Sequence, residues 1–133
     1  FRHDHIGYNY RMPNINAALG CAQLDNLDRY IADKRQTAAE YAEFFKNIDS
    51  IDFFTEPENC FSNYWLNVVI LKDKDAQLEF LKETNDNGVI TRPIWELMNR
   101  LPMFEHCETD GLKNTVWLAD RVVNIPSSVR LEK

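Results

Sequence analysis

Between Ile15 and Ile48 the apolar side chains Ile15, Leu19, Ala22, Leu27, Tyr30, Ala38, Tyr41 and Phe45 recur close to every 3.6 residues, the period of an amphipathic helix. This pattern predicts one long or kinked helix from about Pro13 to Lys46, with Pro13 in the first turn, where its missing N–H costs nothing. At 1.5 Å per residue such a helix runs on the order of 50 Å, more than a chain of this size needs for its own core. It is therefore expected to link two domains. Its small-residue side, Ala17, Ala18, Gly20 and Ala22, permits close backbone approach by another body, and a glycine there costs about 1 kcal/mol of helix stability relative to alanine.

A polar turn runs straight into that helix: Gly7-Tyr8-Asn9-Tyr10-Arg11-Met12-Pro13-Asn14-Ile15-Asn16-Ala17-Ala18-Leu19-Gly20. Asn9 offers two N–H donors, Arg11 a planar fork that matches phosphate oxygens, and Tyr8 and Tyr10 hydroxyls on rigid rings. A helix N-terminus close behind also favours anions. The same residues are compatible with core tyrosines and a solvated Arg11, and composition alone leaves both readings open.

The block from Gly7 to Gly20 resembles the G-Y-N-Y-R-M-x-x-x-N-A-A-L-G block of the DegT/DnrJ/EryC1/StrS family of pyridoxal-phosphate aminotransferases, enzymes that aminate nucleotide-linked keto-sugars. Two further strings agree with that family's C-terminal domain: Thr91-Arg92-Pro93-Ile94-Trp95 followed by Leu101-Pro102-Met103-Phe104, and Asn124-Ile125-Pro126-Ser127-Ser128. Such short strings support the resemblance without carrying it.

The resemblance implies that residues 1–133 are one C-terminal domain of a fold-type I aminotransferase. Residues 1–47 would form the binding turn and interdomain helix, and residues 48–133 a small α+β domain. The Schiff-base lysine, the aspartate facing the pyridine nitrogen and most phosphate contacts belong to a preceding large domain, expected to be absent here. Every lysine of the chain, from Lys34 to Lys133, stands in a charged stretch that reads as solvated surface. Residues 1–133 alone are thus expected to be inactive, with no catalytic residue among them.

By the same resemblance, Asn9 reaches the phosphate of pyridoxal 5'-phosphate (PLP) in a neighbouring subunit of a homodimer, and Arg11 anchors the same region. Arg92 and Trp95 lie where the small domain approaches the sugar nucleotide; a guanidinium suits a diphosphate and an indole a flat or sugar surface. An interface ion pair and a core aromatic are the competing readings. Asn99 stands where family members often carry histidine, and it either keeps a hydrogen bond to the substrate or loses a charge there. The implied reaction moves an amino group from a donor such as glutamate to a keto-deoxysugar, with the strings most like enzymes that act on UDP-linked 4-keto-6-deoxy amino sugars. The rival is a non-enzymatic relative that keeps the fold and acts as a dimerisation or regulatory module.

After the helix, Ile51–Phe54 reads as a strand, Glu56-Pro57-Glu58-Asn59 as a turn and Asn63–Leu71 as a half-buried or central strand with Tyr64, Leu66, Val68 and Ile70 on one face. A helix over about Asp75–Asn85 turns Leu78 and Leu81 inward and stops at Asn87-Gly88. Val89–Arg92 is expected as a strand, Leu112–Arg121 as a helix with Val116 and Ala119 inward, and Val122–Ile125 as a last strand. The sum is an α+β layer, a small, mainly antiparallel sheet covered by helices.

With 44% apolar residues in 133, the chain can close one modest core. The net charge of −6 is spread over interspersed acids and bases, without the basic stripe that a nucleic-acid surface needs. No run of about 20 apolar residues suggests a membrane span, and the family implies the cytoplasm. Cys21, Cys60 and Cys107 are far apart and form no CxxC pair, so they are expected as free thiols, with Cys21 a small packing residue. His3-Asp4-His5 reads as a polar lead-in to the turn rather than a metal site.

Overall fold

The computed structural model describes residues 4–8 and 10–130. Four antiparallel strands form its sheet: β1 (Ile51–Phe53), β2 (Asn67–Leu71), β3 (Arg92–Pro93) and β4 (Val122–Ile125), in the spatial order β1-β2-β4-β3. Helices α1 (Asn14–Leu24), α2 (Leu27–Phe45), α3 (Lys74–Asp86) and α4 (Lys113–Ala119) and a short 3₁₀ turn, Met98–Arg100, complete the chain. The expected α+β architecture, with a helical N-terminal portion leading into a small antiparallel sheet, is the one observed.

The centre of the sheet is the β2–β4 pair. Val69 lies opposite Val123, and Asn67 opposite Ile125. Val69, Leu71, Val123 and Ile125 form the core, and Tyr41 and Phe45 of α2 with Ala76, Phe80 and Leu81 of α3 pack onto it. Asn67 shares the buried face of β2, and its side-chain amide has no hydrogen-bond partner among the described residues.

Where the chain departs from the expected elements, local hydrogen bonds explain it. The helical region is kinked rather than continuous: α1 and α2 are separate, because the Asn26 side-chain amide donates back to the Ala22 carbonyl at 3.2 Å and ends α1. Pro13 stands at the N-cap, and its carbonyl accepts from Asn16 and Ala17. Strand β2 begins at Asn67 rather than Asn63. Ser62 Oγ and Asn63 Oδ1 accept the backbone N–H groups of Tyr64 and Trp65, and Tyr64 adopts a left-handed φ of 44°, so residues 62–66 turn. Of the four residues expected to share a face, only Val68 and Ile70 therefore lie in the strand, on the less buried side.

Helix α3 is capped by Asp73, whose carboxylate accepts from the Ala76 N–H at 2.9 Å, and ends at Gly88 with φ 80°. Its inward set differs from the expected one: Leu81 faces the core, but Leu78 is 52% exposed, and Gln77 takes the buried place instead. Gln77 Nε2 donates to the carbonyls of Ala119 and Val122, tying α3 to the entry of β4, while its Oε1 accepts from Lys74. Strand β3 is only Arg92–Pro93, on the sheet edge where a proline is tolerated. The preceding residues are diverted because Thr84 and Asn85 hydrogen-bond Thr91, leaving Val89 and Ile90 exposed.

No residue of α1 is buried among the described residues. Ile15, Leu19 and Leu24 are exposed, Cys21 is exposed rather than packed, and a Cβ added at Gly20 would meet nothing within 4 Å. Cys60 and Cys107 are likewise free and exposed.

Replacing Gln77 by methionine, which keeps its size, removes its hydrogen bonds to one buried and one partly buried carbonyl and should cost about 2 kcal/mol of stability. Leu78→Ala should cost less than about 1 kcal/mol. Urea unfolding of the two variants checks the order, which reverses if Leu78 is the core residue.

Candidate functional site

Two neighbouring cations on α2 organise the surface beside the sheet. The Lys34 ammonium donates to the carbonyls of Ser127 and Trp65, joining the segment after β4 to the segment before β2. This lysine is half-buried and engaged, not the solvated surface residue expected from its neighbours. One residue on, Arg35 meets Glu56 in a two-pronged ion pair, at 3.0 Å from Nη1 and 2.6 Å from Nη2, and also donates to the Ser62 carbonyl at 2.7 Å. Its guanidinium lies 4.2 Å from the centre of the Phe61 ring. The Glu56 carboxylate accepts from the Ser62 N–H as well, and the Glu56 N–H donates to Tyr64 Oη at 3.1 Å. The Arg35 hydrogen bonds, with the Ser62 amide behind them, hold the Glu56 carboxyl down to about 2, against the opposing effect of burial. The loop from Phe54 to Leu66 is thereby fastened to α2 along much of its length.

The C-terminal segment is held by the same helix. Tyr41 Oη donates to the Pro126 carbonyl at 3.1 Å. Arg130 donates from its backbone and Nε to Asp33 and from Nη1 to Glu40. These contacts lower the Asp33 carboxyl, chiefly through the Arg130 backbone N–H; Glu40 is lowered by Gln36 first and Arg130 second.

Between the two fastened segments runs a groove of about 740 Å³, lined by Lys34, Trp65, Leu66, Arg92, Ser127 and Ser128 among others. The chain carries 21 acidic and 15 basic residues, yet among the described residues this groove is lined by two cations and no carboxylate. That asymmetry suits an anionic ligand. Arg92 is exposed and makes no ion pair among the described residues, and Asn124 Nδ2 fixes its carbonyl from β4 at 3.3 Å. Trp95 is exposed, so it is not a core aromatic, and its ring stacks on that of Trp65.

The structure thus brings Arg92 and Trp95 to one region, through Trp65, and adds Lys34 and Trp65, which the sequence reading missed. An exposed tryptophan just before a strand is a signal only when its neighbours are known. Asn99 stands apart: it lies in the 3₁₀ turn, does not line the groove, and buries its Oδ1 without a partner among the described residues. In the N-terminal turn, Asn9 lies outside the described residues, as does His3. Arg11 is exposed, and Tyr8 and Tyr10 stack on each other at 6.0 Å in an exposed position rather than in the core.

As a site for PLP, these residues fit one end of the cofactor only. Arg11 is exposed, with no ion pair among the described residues, and its guanidinium donors suit a phosphate. No described lysine is set up to meet the aldehyde: Lys34 is engaged by carbonyls, Lys46 and Lys82 pair with Glu43 and Asp86, Lys74 bonds Gln77, and Lys72 and Lys113 are exposed. No group of three or more metal-ligating side chains occurs among the described residues.

The sequence profile of the DegT/DnrJ/EryC1/StrS aminotransferase family matches residues 1–133. The chain is 37% identical over 103 residues to the GDP-perosamine synthase of Escherichia coli O157:H7, covering 77% of this chain and 28% of that protein. It is 33% identical over 131 residues to the GDP-perosamine synthase of Vibrio cholerae, covering 94% of this chain and 35% of that one. Its fold is similar to that of Helicobacter pylori PseC, an aminotransferase involved in the biosynthesis of pseudoaminic acid, with a TM-score of 0.81, 18% sequence identity, and coverage of 96% of this chain and 35% of that one. The chain spans about a third of the length of the relatives it matches.

A carboxyl held at about 2, against its ordinary 4.5, contributes stability that is fully present above pH 4.5 and lost as the pH falls through about 2. The loop carrying Trp65 should therefore detach in that window. The Trp65 indole N–H resonance, followed by NMR from pH 5 downward, should shift with it. In Glu56→Gln the loop is loosened throughout and the acid step disappears; an unchanged step in that variant would show that another group controls the loop.

Proposed function

Because the chain belongs to the DegT/DnrJ/EryC1/StrS aminotransferase family, we propose that it is the C-terminal part of a PLP-dependent aminotransferase acting on a nucleotide-linked keto-deoxysugar. The observation that carries the reading is the groove, which sets Arg92, Lys34 and Trp65 around one space in an otherwise acidic chain, with no carboxylate in its lining among the described residues. A diphosphate-linked sugar presents the matching chemistry: two phosphates for cations, rings for aromatic faces.

In this reading residues 48–133 are the small domain that closes on the substrate, and residues 1–47 are the turn and helices that join it to a large domain. The unburied α1, with its small-residue side, is covered by that domain or by a second subunit of a homodimer. Asn9 and Arg11 reach across the subunit interface and orient the cofactor's phosphate, each as a hydrogen-bond donor. Arg92 binds the substrate diphosphate within the groove, while Trp95 and Asn99, which do not line it, serve only the part of the sugar that extends beyond that space. When bound, PLP supplies the electron sink that lets an amino group leave one carbon and join another. The lysine that handles the proton and the cofactor is contributed by the large domain.

The donor is an amino acid, glutamate in our reading. The names of the two GDP-perosamine synthases favour a GDP-linked sugar over the UDP-linked one suggested by the sequence strings alone. Glycan or cell-surface sugar synthesis in the cytoplasm is the corresponding setting. No helix among the described residues is long and apolar enough to cross a membrane.

The test is the visible absorbance of the full-length protein with PLP, before and after glutamate. We expect a cofactor band above the protein absorbance that is converted by glutamate, and a PLP dissociation constant raised about tenfold in Asn9→Ala, the loss of one charge-assisted hydrogen bond. A protein that forms no band supports the rival reading, a dimerisation or regulatory relative.

A further inference from the structure

We propose that Trp65 is the stacking wall for the base of a nucleoside diphosphate in the Lys34–Arg92 groove, with Trp95 as its brace. This rests on the nucleotide-sugar reading above and assigns the nucleotide end of that substrate to residues of this chain.

Trp65 comes from the turn before β2 and Trp95 from the residues after β3, and their ring centres lie 6.4 Å apart at an interplanar angle of 25°. Each is 65% exposed. Two indoles that meet chiefly each other leave a large apolar surface in water, the situation that marks binding surfaces rather than cores. Their spacing is a direct aromatic contact, so a third ring cannot enter between them and must use the outer face of Trp65. Trp65 also lines the groove that holds Lys34 and Arg92, whereas Trp95 does not. The base and the diphosphate of one ligand can therefore be met within a single space, whose volume of about 740 Å³ is in the range of small-molecule sites.

The wall is fixed before any ligand arrives. The Trp65 N–H is held by Asn63 Oδ1 at 3.0 Å and its carbonyl by the Lys34 ammonium at 3.4 Å. The loop before it is clamped by Arg35 and Glu56. With its backbone tied down and a second ring stacked on it, the Trp65 indole has less freedom to lose on binding. Stacking accepts any base, because every base has a π-face. Trp65 therefore supplies affinity for nucleotides without choosing between guanine and uracil.

Calorimetric titration of the full-length protein with GDP, UDP and inorganic pyrophosphate tests this. In Trp65→Ala, GDP and UDP should each bind about tenfold more weakly, the loss of one base–aromatic stack. Pyrophosphate, which has no base, should bind as before, and Trp65→Phe should recover most of the lost nucleotide affinity. Arg92→Met should weaken all three ligands. GDP and UDP affinities in Trp65→Ala equal to the parent's would overturn the inference and leave the nucleotide-sugar reading standing. An equal loss of pyrophosphate binding would also overturn it, because the groove rather than the stack would then have been damaged. If the parent protein binds neither GDP nor UDP, the nucleotide-sugar reading falls and this inference with it.

Discussion

The contact on which the rest of the structure depends is the pairing of Val69 with Val123 across β2 and β4, both with no exposed surface. Each valine fills the centre of one face of a four-stranded sheet, and on that face α2 and α3 bury their aromatic and aliphatic side chains together. Branched residues suit this position because they fit a pleated surface and lose little rotamer freedom there. Gln77 secures the arrangement from α3 by meeting carbonyls at the end of α4 and the start of β4. A buried amide with its hydrogen bonds made costs far less than an unpaired one.

Helix α2 converts that core into a site. Tyr41 and Phe45 pack onto the sheet, and a turn or two earlier Asp33, Lys34 and Arg35 reach different segments of the surface. Three consecutive helical residues point in directions about 100° apart, so each can serve a different neighbour. Lys34 and Arg35 hold the turn that presents Trp65, and Asp33 with Glu40 holds Arg130. The groove between these segments is bordered by loops, yet each loop is fixed to a helix seated on the core. Such an arrangement lets a binding surface be adjustable in sequence and still stiff in space.

Much of the fold was legible because its cues are local. A short β-branched run marked β4, the proline and the helical period marked the N-terminal helices, and Asn87-Gly88 marked the end of α3. The misplaced features share one cause, competition between side-chain and backbone hydrogen bonds. Ser62 and Asn63 shortened β2, Thr84 and Asn85 shortened β3, and Asn26 divided the helix. Each of these residues could equally have faced solvent, and nothing in its sequence neighbourhood says which. The exchange of Leu78 for Gln77 as the buried residue of α3 is of the same kind, because two carbonyls from a distant segment made the polar side chain the better fit.

By itself, then, the sequence determined the family, through the block from Gly7 to Gly20, and the α+β class, through periodicity and turn residues. It also marked Arg92 and Trp95 as chemically suited to a sugar nucleotide. Only the tertiary structure decided that Lys34 is engaged rather than solvated, that Trp65 joins Trp95, and that Asn99 does not line the groove. The physical reason is distance along the chain. Helical and strand periods are set by neighbours a few residues apart, whereas Lys34 and Ser127, or Trp65 and Trp95, are distant in sequence and meet only once the sheet has formed, with Asn67 opposite Ile125.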